Sequence, residues 1–192
     1  MNLNKEILIY LNSLWENTII EKIVICFSDT PIFFLPIFLI TVRVYYSIKK
    51  INKKESLLFI FYSTAIALII SLFIQQIFEV ERPETVINWV WKLLLKHIPD
   101  ASFPSDHATV SFAFLTWLFL ANYKKTFYFF LPFVLLMWTS RIIAWVHWPL
   151  DILVWAIVWI IWAFISFRFL TRYKFVNKLN NHIIKIMLYI KL

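Results

Sequence analysis

Between Ser140 and Asp151 the chain sets a serine, an arginine, a histidine and an aspartate within twelve residues: Ser140-Arg141-Ile142-Ile143-Ala144-Trp145-Val146-His147-Trp148-Pro149-Leu150-Asp151. The flanking runs, Phe127–Trp138 and Ile152–Phe167, are apolar enough for a membrane interior. Ionisable side chains at such a boundary are costly and are usually functional or paired. Pro149 predicts that one helix ends before it and another begins at it. Asp151 then lies near a helix N-terminus, where the dipole favours its charge and its carboxylate reaches back to the His147 imidazole. A histidine held by a carboxylate, beside an arginine, suits chemistry on an anion.

Two more polar clusters share this setting: Glu81-Arg82-Pro83 and Pro104-Ser105-Asp106-His107. Each alone has a plain structural reading. Arg82 can snorkel, Ser105 and Asp106 can cap a helix, and His107 can satisfy a neighbouring carbonyl. Together they fit one task. Arg82 and Arg141 offer planar, permanently charged forks for phosphate oxygens. Ser105 at a helix N-terminus adds a hydroxyl and free N–H groups. Of the two histidines, one can attack phosphorus while the other protonates the leaving oxygen, with Asp151 fixing the tautomer of the attacking ring. Metal ligation is the main alternative for a His/Asp set, but neighbouring arginines would repel a cation and no ligand spacing matches a known site. Covalent catalysis by Ser105 lacks a dedicated base. No metal or cofactor is expected.

These residues need a scaffold, and composition says which kind. Of 192 residues, 61% are hydrophobic and 16% charged, where soluble domains carry about 25% charged residues. An ordinary soluble enzyme is excluded. The expectation is an all-α integral membrane protein, one membrane-embedded domain over residues 1–192. No cleavable signal peptide is evident in the first thirty residues, which carry Glu6, Glu16 and Glu21, so the first span would act as the insertion signal. Cys26 is alone and reads as a small apolar filler.

Residues 1–30 read as one or two amphipathic helices at the interface, with Asp29-Thr30-Pro31 as a helix start. About five spans follow: Pro31–Ile48, Ser56–Phe78, Ser105–Ala121, Thr126–Trp145 and Pro149–Leu170. The first, at 1.5 Å per residue, is about 27 Å long. The third is short, so Ser105–His107 should cap it at the boundary. Between the second and third spans, Glu79–Pro104 is polar and holds an amphipathic stretch, Val86 to Ile98, suited to lying flat on the membrane.

Charge then orients the chain. One side holds the loops after the first and third spans and the C-terminal tail, with 13 basic residues against Glu55 alone. The positive-inside rule makes that side cytoplasmic, which puts Arg82, His107, Arg141, His147 and Asp151 on the extracytoplasmic face. The net charge of +8 thus reflects topology rather than nucleic-acid binding. The basic amphipathic tail, residues 171–192, is expected on the inner leaflet. His97 and His182 receive no role.

The three clusters resemble the motifs of the type 2 phosphatidic acid phosphatase superfamily, which includes the vanadium haloperoxidases. Its third motif, Ser-Arg, five residues, His, three residues, Asp, is met by Ser140, Arg141, His147 and Asp151. The second, Pro-Ser-Gly-His, stands as Pro104-Ser105-Asp106-His107, and the first, Lys, six residues, Arg-Pro, as Gln75 through Arg82-Pro83. The resemblance covers about residues 55–170, taken as the catalytic core. It implies His147 as the nucleophile forming a phosphohistidine, Asp151 as its partner and His107 as the general acid. Arg82, Arg141, Ser105 and Ser140 would hold the phosphate, with Gln75 and Asp106 at the family's phosphate-binding positions. No metal is implied. Gln75 supplies no charge, and Asp106 should repel a simple monoester unless it points away or is paired.

Pro-Ser-Asp-His and Val146-His147-Trp148-Pro149-Leu150-Asp151 are similar to the bacterial undecaprenyl-diphosphate phosphatase branch associated with bacitracin resistance. That implies hydrolysis of undecaprenyl diphosphate to the monophosphate at the outer face of the plasma membrane. Phosphatidylglycerophosphate, phosphatidate or lipid A is the alternative substrate, and a catalytically inactive membrane scaffold the alternative of another class. The partners expected are a polyprenyl diphosphate or phospholipid substrate and membrane lipids; oligomeric state stays open.

One compositional oddity remains: there is no glycine in the chain, against ten tryptophans. Members of the resembled family commonly carry glycine two residues before the third-motif histidine and shortly after the aspartate, where this chain has Trp145 and Trp155. The hypothesis is that these, with Trp138, stand where glycine belongs, because tryptophan at a close helix approach would clash. A reassigned stop codon or deliberate redesign would produce that pattern. An interfacial aromatic belt explains Trp15, Trp89 and Trp148 but not the missing glycines.

Overall fold

The computed structural model describes residues 3–14, 17–48, 54–78, 80–86 and 102–189. Among these, the regular elements are all α-helices: α1 Leu3–Ser13, α2 Thr18–Ile48, α3 Lys54–Gln75, α4 Pro83–Val86, α5 Asp106–Leu120, α6 Lys124–Ile143, α7 Pro149–Leu170 and α8 Lys174–Tyr189. Three of them, over Leu57–Gln75, Lys124–Ile143 and Pro149–Leu170, are long and apolar enough to cross a membrane. The expected amphipathic stretch after Val86 lies outside the described residues.

α5 is the centre. It has 15 residues, about 22 Å, and every side chain from Ala108 to Leu118 is buried. A helix that is apolar all round has no solvent face to offer, so it goes inside the bundle. α3, α6 and α7 pack around it. Ser105 is its N-cap, with Oγ accepting from the Ala108 N–H at 3.4 Å. The capping expected of this short span is therefore present.

The helix start expected at Asp29-Thr30-Pro31 is not there. α2 runs unbroken for 31 residues, about 46 Å, through both Pro31 and Pro36. Its N-terminus is made at Asn17, whose Oδ1 accepts from the Ile19 and Ile20 N–H groups at 2.9 and 3.4 Å. Asparagine there satisfies the orphan donors of the first turn. Each proline removes one backbone bond, but in apolar surroundings the rest of the backbone has no better partner than its own helix. Elsewhere the boundaries move less. α6 stops at Ile143, two residues before the expected end, and α7 begins at Pro149 as its spacing predicts.

Small residues and buried hydroxyls bind the bundle. Ala67, Ala108, Ala113 and Ala163 are fully buried and let helices approach closely. Midway, Ser166 of α7 takes the Trp117 indole N–H of α5 at 3.0 Å and shares a 2.8 Å bond with Ser63 of α3. One hydroxyl thereby joins three helices. Ser166→Ala should lower stability by about 1–3 kcal/mol, because it strands a buried indole N–H. Ser63→Ala, which leaves Ser166 to accept from Trp117, should cost less. Thermal unfolding in detergent micelles orders the two variants.

Candidate active site

The polar clusters meet at one end of the bundle, where α3 and α6 finish and α5 and α7 begin. α6 closes in a Schellman motif: Val146 N–H donates to Arg141 O at 3.2 Å and Trp145 N–H to Ile142 O at 3.0 Å. That geometry requires a left-handed residue after the cap, and Trp145 supplies it with φ 69°. The same pair of bonds ends α5, from Tyr123 N to Leu118 O and Asn122 N to Phe119 O, with Asn122 at φ 62°. Asparagine is a common choice in this position and glycine the usual one. A bulky residue there is an outlier.

The turn hands the chain to α7 and presents His147, which is 1% exposed. Its Nδ1 lies 3.0 Å from the carbonyl oxygen of Ser102, and its Nε2 lies 3.2 Å from Nη2 of Arg141. A carbonyl only accepts and a guanidinium only donates, so Nδ1 carries the proton and Nε2 the lone pair. Burial holds the His147 imidazole well below the ordinary histidine range, and the charges of Arg141, Arg82 and His107 press the same way. The ring is therefore neutral, with a nucleophilic nitrogen directed at a cation.

Asp151 is placed differently from the expectation. Its carboxylate does not hold the imidazole; Oδ2 instead accepts from the Ser102 hydroxyl at 2.7 Å. Ser102 stands between the two, giving its carbonyl to His147 and its hydroxyl to Asp151. The reason is the helix start. Asp151 is in the first turn of α7, beyond Pro149, while the ring turns back toward the segment before α5. Ser102 was not singled out from the sequence, and a backbone carbonyl leaves no sequence signal to find.

The arginines converge on the same turn. Arg82 donates to Val146 O at 2.7 Å, and Arg141 also donates to Ser28 O at 3.3 Å; both are 5% exposed. Ser140 is buried one residue before Arg141 in the last turn of α6. Ser105 and His107 stand at the head of α5. Gln75 and Asp106 engage each other. Gln75 Nε2 donates to Pro104 O at 2.7 Å and to Asp106 Oδ1 at 2.9 Å, and Ser71 Oγ adds a 3.0 Å bond to that same oxygen. The carboxylate feared as a repulsion is paired, and the amide expected at the phosphate has its nitrogen committed.

The other two suspect tryptophans differ from Trp145. Trp155, inside α7, packs on Phe103 and Trp159, and neither indole N–H of Trp155 and Trp159 has a partner among the described residues. Trp138 does have one, Ser111 Oγ at 3.0 Å.

Residues 56–175 match the family described as the PAP2 superfamily. Curated relatives include YbjG of Escherichia coli strain K12, 40% identical over 103 residues, covering 46% of each chain. The undecaprenyl-diphosphatase BcrC of Bacillus subtilis is 41% identical over 76 residues, covering 40% of this chain and 39% of its own. The bacitracin transport permease protein BcrC of Bacillus licheniformis is 34% identical over 88 residues, 45% of this chain and 42% of its own. The chain thus matches less than half the length of each. The crystal structure of Aquifex aeolicus LpxE superposes with a TM-score of 0.66 at 24% identity, covering 88% of this chain and 96% of that one.

Position 145 yields a sharp test. Deleting a buried tryptophan ordinarily costs about 3–5 kcal/mol, whereas relieving a left-handed backbone returns about 1–2 kcal/mol. If the turn is built for glycine, Trp145→Gly leaves the melting temperature unchanged or raises it. A net loss of about 1–4 kcal/mol, the difference between the two, would mark Trp145 as ordinary core. Intact mass of the protein from its native cell tests whether tryptophans stand in place of glycines, since a mass matching the written sequence ends that idea.

Proposed function

The chain belongs to the PAP2 superfamily, and from that membership we propose that it is a metal-independent lipid phosphatase acting on a lipid diphosphate, with undecaprenyl diphosphate as the leading substrate. The observation that carries this reading is the neutral, buried His147 with Nε2 turned to Arg141 and Arg82 docked on the same turn. The names of the Bacillus subtilis BcrC and Escherichia coli YbjG relatives, an undecaprenyl-diphosphatase and a putative one, and the third-motif spacing support the substrate class.

The chemistry follows from the hydrogen bonds. Nε2 of His147 attacks the terminal phosphorus, and the phosphorus–nitrogen bond forms as the bond to the bridging oxygen breaks. His107 gives its proton to the departing oxygen. The two guanidinium groups neutralise the non-bridging oxygens, and Ser105 and Ser140 stand at the start of α5 and the end of α6. As the ring becomes cationic, the Ser102 carbonyl on Nδ1–H stabilises it, and Asp151 holds Ser102 in place. His107, now deprotonated, takes a proton from water whose oxygen attacks the phosphohistidine. Inorganic phosphate leaves, and the Nε2 lone pair is restored.

The excess of basic residues on the opposite loops supports an extracytoplasmic site in a bacterial plasma membrane and a cytoplasmic C-terminus. About five spans, with α2 and α5 completing the three long apolar helices, accommodate that topology.

Purified protein assayed for phosphate release against undecaprenyl diphosphate, phosphatidylglycerophosphate, phosphatidate and lipid A should favour the diphosphate. His147→Ala should abolish release, by about a thousandfold or more. Unchanged release from every lipid would overturn the reading.

The pH profile is a second check. His147 attacks as the free base, and its affinity for protons is depressed, so kcat/KM should hold as pH falls through the ordinary histidine value near 6.5 and drop only below it. Arg82→Gln removes one of the depressing charges. It should shift that acid limb upward while lowering kcat/KM by about 10²–10³-fold.

A further inference from the structure

α1 lies outside residues 56–175, yet it is packed on the turn that carries His147. Asn4, Leu8 and Asn12 recur every four residues and so share one face of the helix. Asn12 Nδ2 donates to Ile143 O, the last residue of α6, at 2.6 Å, and Asn12 is fully buried. Asn4 Oδ1 accepts from Leu150 N–H, at the first turn of α7, at 3.0 Å. Leu8, also fully buried, fills the space between them against Ile142, Trp145 and Ile152. The two asparagines therefore satisfy one orphan carbonyl at the end of α6 and one orphan N–H at the start of α7. The five residues Ala144–Trp148 hang between those points.

We propose that α1 is a splint for the catalytic turn, with Asn4 and Asn12 as positioning residues that keep the ends of α6 and α7 in register so that His147 presents Nε2. The need for such a splint is local. The turn holds a left-handed tryptophan, and outside α6 its anchors include single bonds: Arg82 to Val146 O, the His147 ring to Ser102 O and the Trp148 indole to Glu81 O at 3.0 Å. Each comes from a segment before α5. α1 is the element that grips both helix ends at once.

The proposal rests on the phosphatase reading for its catalytic half and stands alone for its structural half, so the test reads both. Hydrogen–deuterium exchange on full-length protein in nanodiscs reports the turn, and phosphate release from undecaprenyl diphosphate reports the chemistry. Asn12→Ala and Asn12→Leu both lack the donor, and Asn4→Ala lacks the acceptor. All three should raise amide exchange in residues 144–150 without raising it in α5. They should lower kcat about tenfold with KM within twofold, and shift the acid limb of kcat/KM upward as water reaches His147. Asn4→Asp keeps an acceptor at a helix N-terminus and should retain wild-type exchange and kcat. Unchanged exchange in the donor-less variants, or raised exchange with unchanged kcat, overturns the splint. Equal loss in Asn4→Asp and Asn4→Ala, or a uniform rise in exchange across α5, makes α1 a general stabiliser and also overturns it. If His147→Ala keeps full activity, the phosphatase reading falls instead, and exchange in the turn still decides whether α1 braces it.

Discussion

His147 is buried between a group that can only accept a hydrogen bond and one that can only donate, the Ser102 carbonyl and the Arg141 guanidinium. A histidine in that position has one tautomer available, and protonation would set an N–H against an N–H. Three segments at this end of the bundle maintain the opposition. The segment before α5 brings the carbonyl, the last turn of α6 brings the guanidinium, and the turn between α6 and α7 sets the ring between them. If the turn swings, the ring loses both partners together.

The arginines face the opposite difficulty, since a buried cation without compensation is costly. Part of the compensation here is backbone. Arg82 rests on Val146 O and Arg141 on Ser28 O, and Arg141 is also in the last turn of α6, where the helix dipole favours positive charge. Carbonyl oxygens are weaker partners for a guanidinium than a charged phosphate.

Much of this was legible in the sequence, and the missing parts share a cause. Arg141, His147 and Pro149 declare themselves through residue type and spacing, because a proline fixes where a helix can start and ionisable groups are rare in apolar runs. Ser102 does not, because its contribution to the imidazole is a main-chain oxygen that any residue possesses. The direct contact expected between Asp151 and His147 failed on the same point: spacing put the two nearby but could not show which way the ring turns. Asp29 offered a helix start in the sequence, and only the continuity of α2 through two prolines, with its N-terminus capped by Asn17, removes it. Asn4 and Asn12 look like the ordinary polar positions of an amphipathic helix until the ends of α6 and α7 are placed beside them. Trp145 was suspect from the want of glycine in the chain, and its backbone angle adds an independent physical reason.

The latch between Gln75 and Asp106 has a consequence for how such a chain can change. The two residues end one helix and begin another, 31 positions apart, and share a single hydrogen bond. Glycine at 106 would take the carboxylate from both the amide and Ser71, while lysine at 75 would turn a neutral contact into an ion pair beside the site. A substitution acceptable at either position thus depends on what occupies the other. Across descent, the pair should be gained and lost together, as one heritable character written in two codons.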